Sequence, residues 1–255
     1  MRRLRVCGTA LLAALAAAPA LVHAQATDPT VEPEAMAALE KMGAYMRTLN
    51  AFQVRAATSR EDVLDDGQKV EFSSVTDVLV QRPDRFRAEV DGDRHTRLYL
   101  YDGKSFTLFA RRVGYYATVP APPTIGELAD RLDEKYGLDV PLSDLFRWGG
   151  PRASTKEITA AADIGPSVVE GTTCEHYAFR QAGADWQVWI QNGSFPLPRK
   201  LVITTTTDEA RPQYSAVYTW NLAPSYNDAA FTFDPPADAQ RIVFAEDAPS
   251  GAVKK

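Results

Sequence analysis

The sequence has few of the residues that bind metals or act as nucleophiles: two cysteines and three histidines among 255 residues. It also lacks the G-x-S-x-G, H-E-x-x-H and P-loop patterns that mark common hydrolase, metalloprotease and nucleotide sites. A hydrolase is therefore the weakest of the functions that we consider for this protein. We predict a protein that is not an enzyme, with no catalytic residue, no cofactor and no metal.

Long hydrophobic runs are missing everywhere except at the N-terminus. Arg2, Arg3 and Arg5 precede an Ala/Leu-rich stretch over residues 8–22, which is too short and wrongly flanked for a membrane-spanning helix. Val22-His23-Ala24 carries small residues at the two positions that a signal peptidase reads. We expect residues 1–24 to be a signal peptide cleaved before Gln25, which predicts a soluble periplasmic protein.

A surplus of basic residues is also absent. The formal charge is −5, and removal of residues 1–24 would take away three arginines and no acid, leaving −8. This balance disfavours nucleic acid or an anionic membrane surface as the main partner. Residues 25–255 contain no Pro/Gly/Ser linker or charge block, so one domain, acting as a monomer, is predicted.

Cysteine is too scarce for an internal disulfide once the signal is removed, because only Cys174 remains. Cys174 and His176 lie two residues apart in a strand-like segment, hence on one face. A thiolate–imidazole pair or half a metal site is one reading. The other is a buried cysteine beside a histidine that is exposed or already hydrogen-bonded. Zinc would need a third ligand that the sequence does not offer.

Two amphipathic helices stand in an otherwise strand-like sequence. The first begins at Pro33, and its apolar residues recur at steps of three and four: Met36, Leu39, Met42, Met46 and Leu49. The second follows the capping-box pattern of Thr124 and Glu127, continues to Tyr136 and ends at Gly137.

The rest of the sequence alternates apolar and polar residues between turn signals. Phe86, Ala88 and Val90 form one such row, and turn pairs such as Asp102-Gly103 separate the rows. This pattern predicts a mainly β, α+β protein with about ten antiparallel strands. Such a sheet must cover its apolar face, and the helices are the available cover.

Several motifs, taken in order, resemble the LolA-like superfamily of periplasmic lipoprotein carriers. These are RPDRFR at 82–87, YDGK at 101–104 and FTFDPP at 231–236. The middle of the chain, APPTI at 121–125 and PLSDLF at 141–146, is similar to a family of predicted periplasmic proteins of unknown function within that superfamily. The resemblance implies a curved, unclosed antiparallel half-barrel, with its concave apolar face lidded by an N-terminal and a central helix.

The resemblance also implies a role for Arg82, which matches an arginine that holds the lid in the lipoprotein carriers. One departure is Ala88, where those carriers have an aromatic residue. Counted by twos, Arg82 also shares a strand face with Phe72 and Val80, so its charge would end an apolar row. The alternative is an arginine whose guanidinium reaches solvent at the strand end.

Aromatic residues are the candidates for lining a ligand cavity, which is usually apolar. They could equally fill a solid core. Together with Arg82, the predicted ligand-binding residues are Phe86, Phe106, Phe109, Tyr116, Trp186, Trp189, Tyr218 and Trp220.

These patterns, with the resemblance, predict a non-catalytic periplasmic carrier or binding protein for a hydrophobic ligand, such as an acyl chain or a lipoprotein. The alternative is a protein-interaction or sensor module that uses the same half-barrel to recognise an envelope protein. No nucleic acid partner is expected.

Overall fold

The structure is a computed structural model that describes residues 30–143, Leu145 and residues 155–244. The expected signal peptide, residues 1–24, and its cleavage site before Gln25 lie outside the described residues. Within the described part the chain forms two α-helices, two short 3₁₀ helices and one large sheet.

Helix α1 spans Pro33–Thr48 and helix α2 spans Ile125–Tyr136. Pro33 starts α1 because its fixed φ suits a first helical position and no intrahelical N–H is lost. The buried stripe of α1 is Ala35, Leu39, Met42 and Met46, with Met36 and Leu49 at its margin. This agrees with the predicted spacing.

Both ends of α2 are capped as its sequence predicts. The Thr124 hydroxyl oxygen accepts a hydrogen bond from the Glu127 N–H at 3.2 Å. At the other end Gly137 adopts φ +56°, which costs a glycine little. Its N–H donates to Asp133 O at 2.9 Å, and the Leu138 N–H donates to Leu132 O at 3.1 Å. This closes the last turn and sets the direction of the chain after Gly137.

The sheet contains twelve strands in the order β12-β6-β5-β4-β3-β2-β1-β11-β10-β9-β8-β7. Their bounds are Ala51–Val63 (β1), Lys69–Gln81 (β2), Arg85–Gly92 (β3), Thr96–Tyr101 (β4), Ser105–Ala110 (β5), Tyr115–Pro120 (β6), Ile158–Val169 (β7), Thr172–Gln181 (β8), Ala184–Gln191 (β9), Pro198–Thr205 (β10), Gln213–Asn221 (β11) and Gln240–Arg241 (β12).

Two antiparallel meanders build this sheet. Strands β1 to β6 run outward from the centre, whereas β7 to β11 run inward from the opposite edge. They meet where β1 pairs with β11, for example Ala56 opposite Tyr218. The 3₁₀ helices, Thr155–Glu157 and Asp228–Phe231, precede β7 and follow β11. The last strand, β12, is the exception to the antiparallel pattern, because it pairs parallel with β6.

One face of the sheet forms the main core with both helices. The core contains residues from well-separated strands, such as Phe106 on β5, Val54 on β1 and Ile158 on β7. Because these strands share one core, the sheet is curved and its concave face lies toward the helices. Beside α1, the Glu32 N–H donates to Ala161 O of edge strand β7 at 2.9 Å, so the helix is tied to that edge.

The predicted fold class is confirmed: a mainly β chain, an open antiparallel sheet, and helices on one face. The expectation of about ten strands is too low by two. Strand β12 is a pair of exposed residues, Gln240 and Arg241, and therefore has no apolar alternation that could reveal it.

Candidate ligand-binding site

Five of the predicted aromatic residues belong to the main core. Phe86, Phe106 and Tyr218 are buried within it, while Trp186 and Trp220 are partly buried and pack against it. Phe86 contacts Phe106, with ring centroids 6.4 Å apart. These side chains form packed core between sheet and helices. Phe86 lies opposite Val80, near the Arg82 end of β2, whereas Trp186 lies opposite Ile203, toward the other end.

The other three predicted aromatic residues, Phe109, Tyr116 and Trp189, lie on the opposite, convex face, so the eight aromatic residues do not share one surface. Phe109 and Tyr116 contact Phe233 in a small separate cluster. Trp189 stacks on His176, with ring centroids 3.9 Å apart. The reason is the period of two: Phe106 and Phe109 differ by three positions, as do Trp186 and Trp189, so each pair points to opposite faces.

A hollow of about 980 Å³ lies at the other end of the concave face. None of the nine predicted site residues lines it. Its apolar lining comes from three strands of one meander, two of the other and the segment after α2: Phe72, Val90, Tyr99, Val140, Ile203 and Tyr214. Thr58, Ser74 and Thr76 add hydroxyl groups. The Thr58 and Ser74 hydroxyl oxygens are 2.7 Å apart, so they hydrogen-bond to each other.

Residues 138–143 cover part of the hollow. The chain leaves the capped end of α2 at Gly137 and places Leu138, Val140 and Leu142 along one wall. Val140 is buried in the main core, which anchors the segment at its middle. Leu142 adopts φ +56°, an uncommon conformation for a bulky side chain. Such strain is typical of ligand clamps and movable segments.

Three arginines and a histidine line the opening of the hollow, together with the carboxylates of Asp93 and Asp139. Arg60 of β1, Arg94 and His95 between β3 and β4, and Arg97 of β4 all line it. Asp62 pairs with Arg60 at 2.9 Å and also with Arg94. Arg94 additionally lies over the ring of Phe72, 4.8 Å from the centroid, where a cation is attracted to the aromatic face.

The pKa of His95 reflects the charges that surround it. Burial lowers the pKa of His95 below its usual value, and the positive charges of Arg97, Arg112, Arg60 and Arg94 lower that pKa further. Arg112 stabilises the turn between β3 and β4, because its guanidinium donates to Asp93 O at 2.8 Å and to Gly92 O. His95 therefore favours the neutral form at neutral pH, beside four guanidinium groups.

Sequence reasoning missed these basic residues, although a usable signal was present. Arg60 extends the row of Val54, Ala56 and Thr58 by one step of two, and Arg97 begins the row of Tyr99 and Tyr101. A charged residue that continues an apolar row must face the covered side of the sheet. The search for aromatic residues passed over such positions.

Arg82 lies far from the hollow, at the opposite end of β2. Thr76 is the nearest lining residue on that strand, six positions away, or about 20 Å at ~3.3 Å per residue. The Arg82 N–H donates to Asn50 O at 2.7 Å, and the next residue, Pro83, follows a cis peptide bond. Burial lowers the pKa of the Arg82 guanidinium, in agreement with its predicted place at the end of an apolar row.

The corner at Arg82 and Pro83 nevertheless connects to the hollow through α2. The Ile125 N–H, at the start of α2, donates to Pro83 O at 2.9 Å. Nearby, the buried Tyr101 hydroxyl donates to Pro122 O. Burial raises the pKa of Tyr101 to about 12, so its hydroxyl keeps its proton. The twelve residues of α2 span about 18 Å, and the helix therefore leads from this corner to residues 138–143.

Cys174 and His176 make separate contacts. The buried Cys174 thiol donates to Thr172 O at 3.5 Å, and burial raises its pKa. His176 hydrogen-bonds Gln187 through Nε2 at 3.0 Å while it stacks on Trp189. A nucleophilic cysteine needs a lowered thiol pKa, so these contacts favour the structural reading of both residues.

The described residues contain no helix long and apolar enough to cross a membrane.

No curated protein is significantly similar to the chain. Among solved structures, an uncharacterized conserved protein from Thermus thermophilus has a TM-score of 0.46 at 12% identity, covering 82% of this chain and 99% of its own. LprF from Mycobacterium bovis has a TM-score of 0.44 at 12% identity, covering 84% and 100%. A LolA superfamily protein from Nitrosomonas europaea has a TM-score of 0.39 at 14% identity, covering 78% and 97%.

A family match covers most of the chain. Residues 35–245 match the profile of the family described as predicted periplasmic protein, DUF2092. The match begins inside α1 and ends just after Phe244, so it includes the whole sheet, α2, most of α1 and the hollow. The chain therefore belongs to the DUF2092 family of predicted periplasmic proteins.

Proposed function

We propose that this protein is a non-catalytic periplasmic carrier or binding protein for a hydrophobic ligand, such as an acyl chain or a lipoprotein. The observation that carries the proposal is the hollow of about 980 Å³ between the concave face and residues 138–143. Its volume lies at the upper end of the ~300–1,000 Å³ range of small-molecule sites.

The apolar part of the lining suits a hydrocarbon chain. Phe72, Val90, Tyr99, Val140, Ile203 and Tyr214 offer aliphatic and aromatic surface. Burial of each CH₂ group contributes about 0.8 kcal/mol. Ten methylene groups would supply roughly 8 kcal/mol, from which the cost of association is subtracted. This is enough for reversible binding without a covalent bond.

Release of such a ligand would require residues 138–143 to move. We propose that α2 transmits this movement, because one end of the helix is held at Pro83 and the other continues into the covering segment. Arg82 would then affect the lid through the corner that holds α2, and not through contact with the ligand. This role is the control of the lid that the resemblance implies, and it does not require the ligand contact that the list of predicted ligand-binding residues assigns to Arg82.

The place and form of the protein follow from the same proposal. We propose export directed by residues 1–24, cleavage before Gln25, and a single soluble domain that acts as a monomer in the periplasm. N-terminal sequencing of protein released by osmotic shock tests the cleavage site. Recovery in a salt-resistant membrane pellet would contradict the proposed location.

Native mass spectrometry of protein purified from its own envelope, followed by lipid extraction, tests the carrier function. The expected result is a non-covalent mass increment that the extraction removes. If only the unliganded mass is found and no fluorescent fatty acid or lysolipid binds saturably, the carrier proposal is overturned in favour of an envelope protein-interaction or sensor module.

A matched pair of variants locates the site. Thr58→Trp places an indole in the hollow, whereas Thr219→Trp places one on the exposed convex side of β11, the strand that pairs with β1. We expect Thr58→Trp to abolish probe binding and Thr219→Trp to preserve it. Equal probe affinity in two folded variants would exclude the hollow as the site.

A further inference from the structure

Arginines and carboxylates both line the opening of the hollow, Asp139 among the latter, but not every arginine there is paired. Arg60, Arg94, His95 and Arg97 line the opening, and Asp62 is the carboxylate that pairs with Arg60 and Arg94. Asp93, which also lines it, accepts a hydrogen bond from the Ser73 N–H at 2.7 Å through its carboxylate. Within the described part of the chain, Arg97 has no ion pair with a carboxylate.

The Arg97 side chain lines the hollow and can contact a ligand inside it. It precedes Tyr99 and Tyr101 by steps of two, and both tyrosines belong to the concave core. The Arg97 side chain is therefore on the concave face, half-buried, with a guanidinium whose fork of N–H groups matches a carboxylate or phosphate. A half-buried charge is costly without a counter-charge or water.

The local charge contrasts with that of the molecule. The chain is acidic overall, with a formal charge of −5, yet the groups that act electrostatically on His95 are four arginines. A general basic surface for nucleic acid or membrane binding does not fit an acidic protein. One arginine of the hollow that lacks a carboxylate partner among the described residues, Arg97, fits a single small anionic group instead.

We propose that the ligand of this hollow is an amphiphile with a phosphate or carboxylate group, which Arg97 binds at the opening with help from Arg60 and Arg94 while the acyl chain lies inside. This inference rests on the proposed carrier function and adds the chemical class of the ligand. A free anion would satisfy the arginines but would leave the apolar walls at Phe72, Val90 and Ile203 unused.

The test compares three probes by isothermal titration calorimetry with the full-length mature protein. They are 1-lauroyl lysophosphatidate and 1-lauroyl glycerol, both below their critical micelle concentrations, and inorganic phosphate. We expect lysophosphatidate to bind about ten-fold more tightly than the neutral glyceride, as one charge-assisted hydrogen bond at the low end of its usual strength would produce. Inorganic phosphate alone should bind far more weakly than either lipid.

Variants then assign the effect to the opening. Arg97→Met should weaken lysophosphatidate binding much more than glyceride binding and so remove most of the ten-fold preference, and Arg97→Lys should restore part of it. Arg55→Met is the matched control, because Arg55 is exposed on the convex side of β1 and its loss changes the net charge equally. If Arg97→Met does not fold, Arg60→Met at a 61% exposed side chain serves the same purpose.

The outcomes separate the two proposals. Failure of both lipids to bind would overturn the carrier function and this inference together. Equal affinity for both lipids, or an unchanged preference in the folded arginine variants, would overturn only the anionic head group. Phosphate affinity equal to that of lysophosphatidate would replace the amphiphile with a free anion.

Discussion

The carbonyl oxygen of Pro83 accepts a hydrogen bond from the backbone N–H of Ile125, with an N–O distance of 2.9 Å. Ile125 is the first residue of α2, where the backbone N–H groups have no partner inside the helix. The corner that ends β2 therefore fixes the start of the helix that leads to the covered hollow. Through this contact, a change at Arg82, the residue before Pro83, can affect the helix that leads to the hollow.

We predict that Arg82→Leu changes ligand release without unfolding the protein. Leucine keeps the apolar row but removes the guanidinium, and each charge-assisted hydrogen bond that is lost is worth about 1.5–3 kcal/mol. A loosened corner should raise the off-rate of a fluorescent lipid probe several-fold. Arg82→Lys should rescue this partly, because an ammonium group cannot make a planar bidentate contact.

Stopped-flow off-rates and urea midpoints for the wild type and both variants check this prediction. An arginine that only reaches solvent would change stability by less than about 0.5 kcal/mol and leave release unchanged. Unchanged off-rates in both variants would remove Arg82 from the functional residues.

The N-cap of α2 offers a second test of the same helix. Thr124→Ala removes the acceptor of the Glu127 N–H, and we expect the free energy of unfolding to fall by about 1 kcal/mol. Thr124→Ser is the matched control, because it keeps the hydroxyl group. Urea denaturation measures the difference, and an alanine variant as stable as the serine variant would show that the cap contributes nothing.

The helices illustrate which features a sequence predicts well. The start of α2 at Thr124 and its end at Gly137 follow from local chemistry, a side-chain cap and a left-handed glycine, and both were predicted correctly. The class of the sheet also follows from local alternation. By contrast, the pairing of β1 with β11 joins residues such as Val54 and Trp220, which are far apart in sequence. No local pattern encodes that contact.

The predicted site residues do not line the hollow, for a physical reason. Large aromatic residues such as Phe86 and Phe106 stabilise most when they are fully packed, so they occupy the solid end of the core. The hollow lies where small polar residues, such as Thr58 and Ser74, stand among the apolar ones. Five of the eight predicted aromatic residues are therefore in or against the main core, whereas the row that ends at Arg60 leads into the hollow.

We predict that reducing agents leave the melting temperature of the protein unchanged. Cys174 is a free, buried cysteine, and its burial raises the thiol pKa. A thiol reagent should therefore modify it slowly in the native protein and quickly in urea. Mass spectrometry follows the modification. Rapid labelling of the native protein would indicate a reactive thiol and would contradict the structural reading of this residue.

We expect the stability of the protein to fall between about pH 7.5 and pH 5.5, and His95 to account for part of the loss. Burial and the nearby arginines lower the folded-state pKa of His95 below the ordinary value of 6.5. Between these two pKa values the unfolded chain binds more protons than the folded chain, so the free energy of unfolding decreases as the pH falls. The stabilisation is complete above about pH 6.5 and is lost as the pH drops through the folded-state pKa. Carboxylates contribute mainly at lower pH.

Urea midpoints at pH 7.5 and pH 5.5 measure this loss in the wild type, His95→Gln and His176→Gln. The pKa of His176 is also lowered, first by burial, so each substitution should reduce the pH dependence and the double variant should reduce it most. His95→Gln tests the electrostatics of the hollow separately, because glutamine does not titrate while Arg60, Arg94, Arg97 and Arg112 remain. A pH dependence as steep in His95→Gln as in the wild type would mean that the arginines do not act on His95 in solution. The positive potential at the opening of the hollow would then be weaker than the geometry indicates.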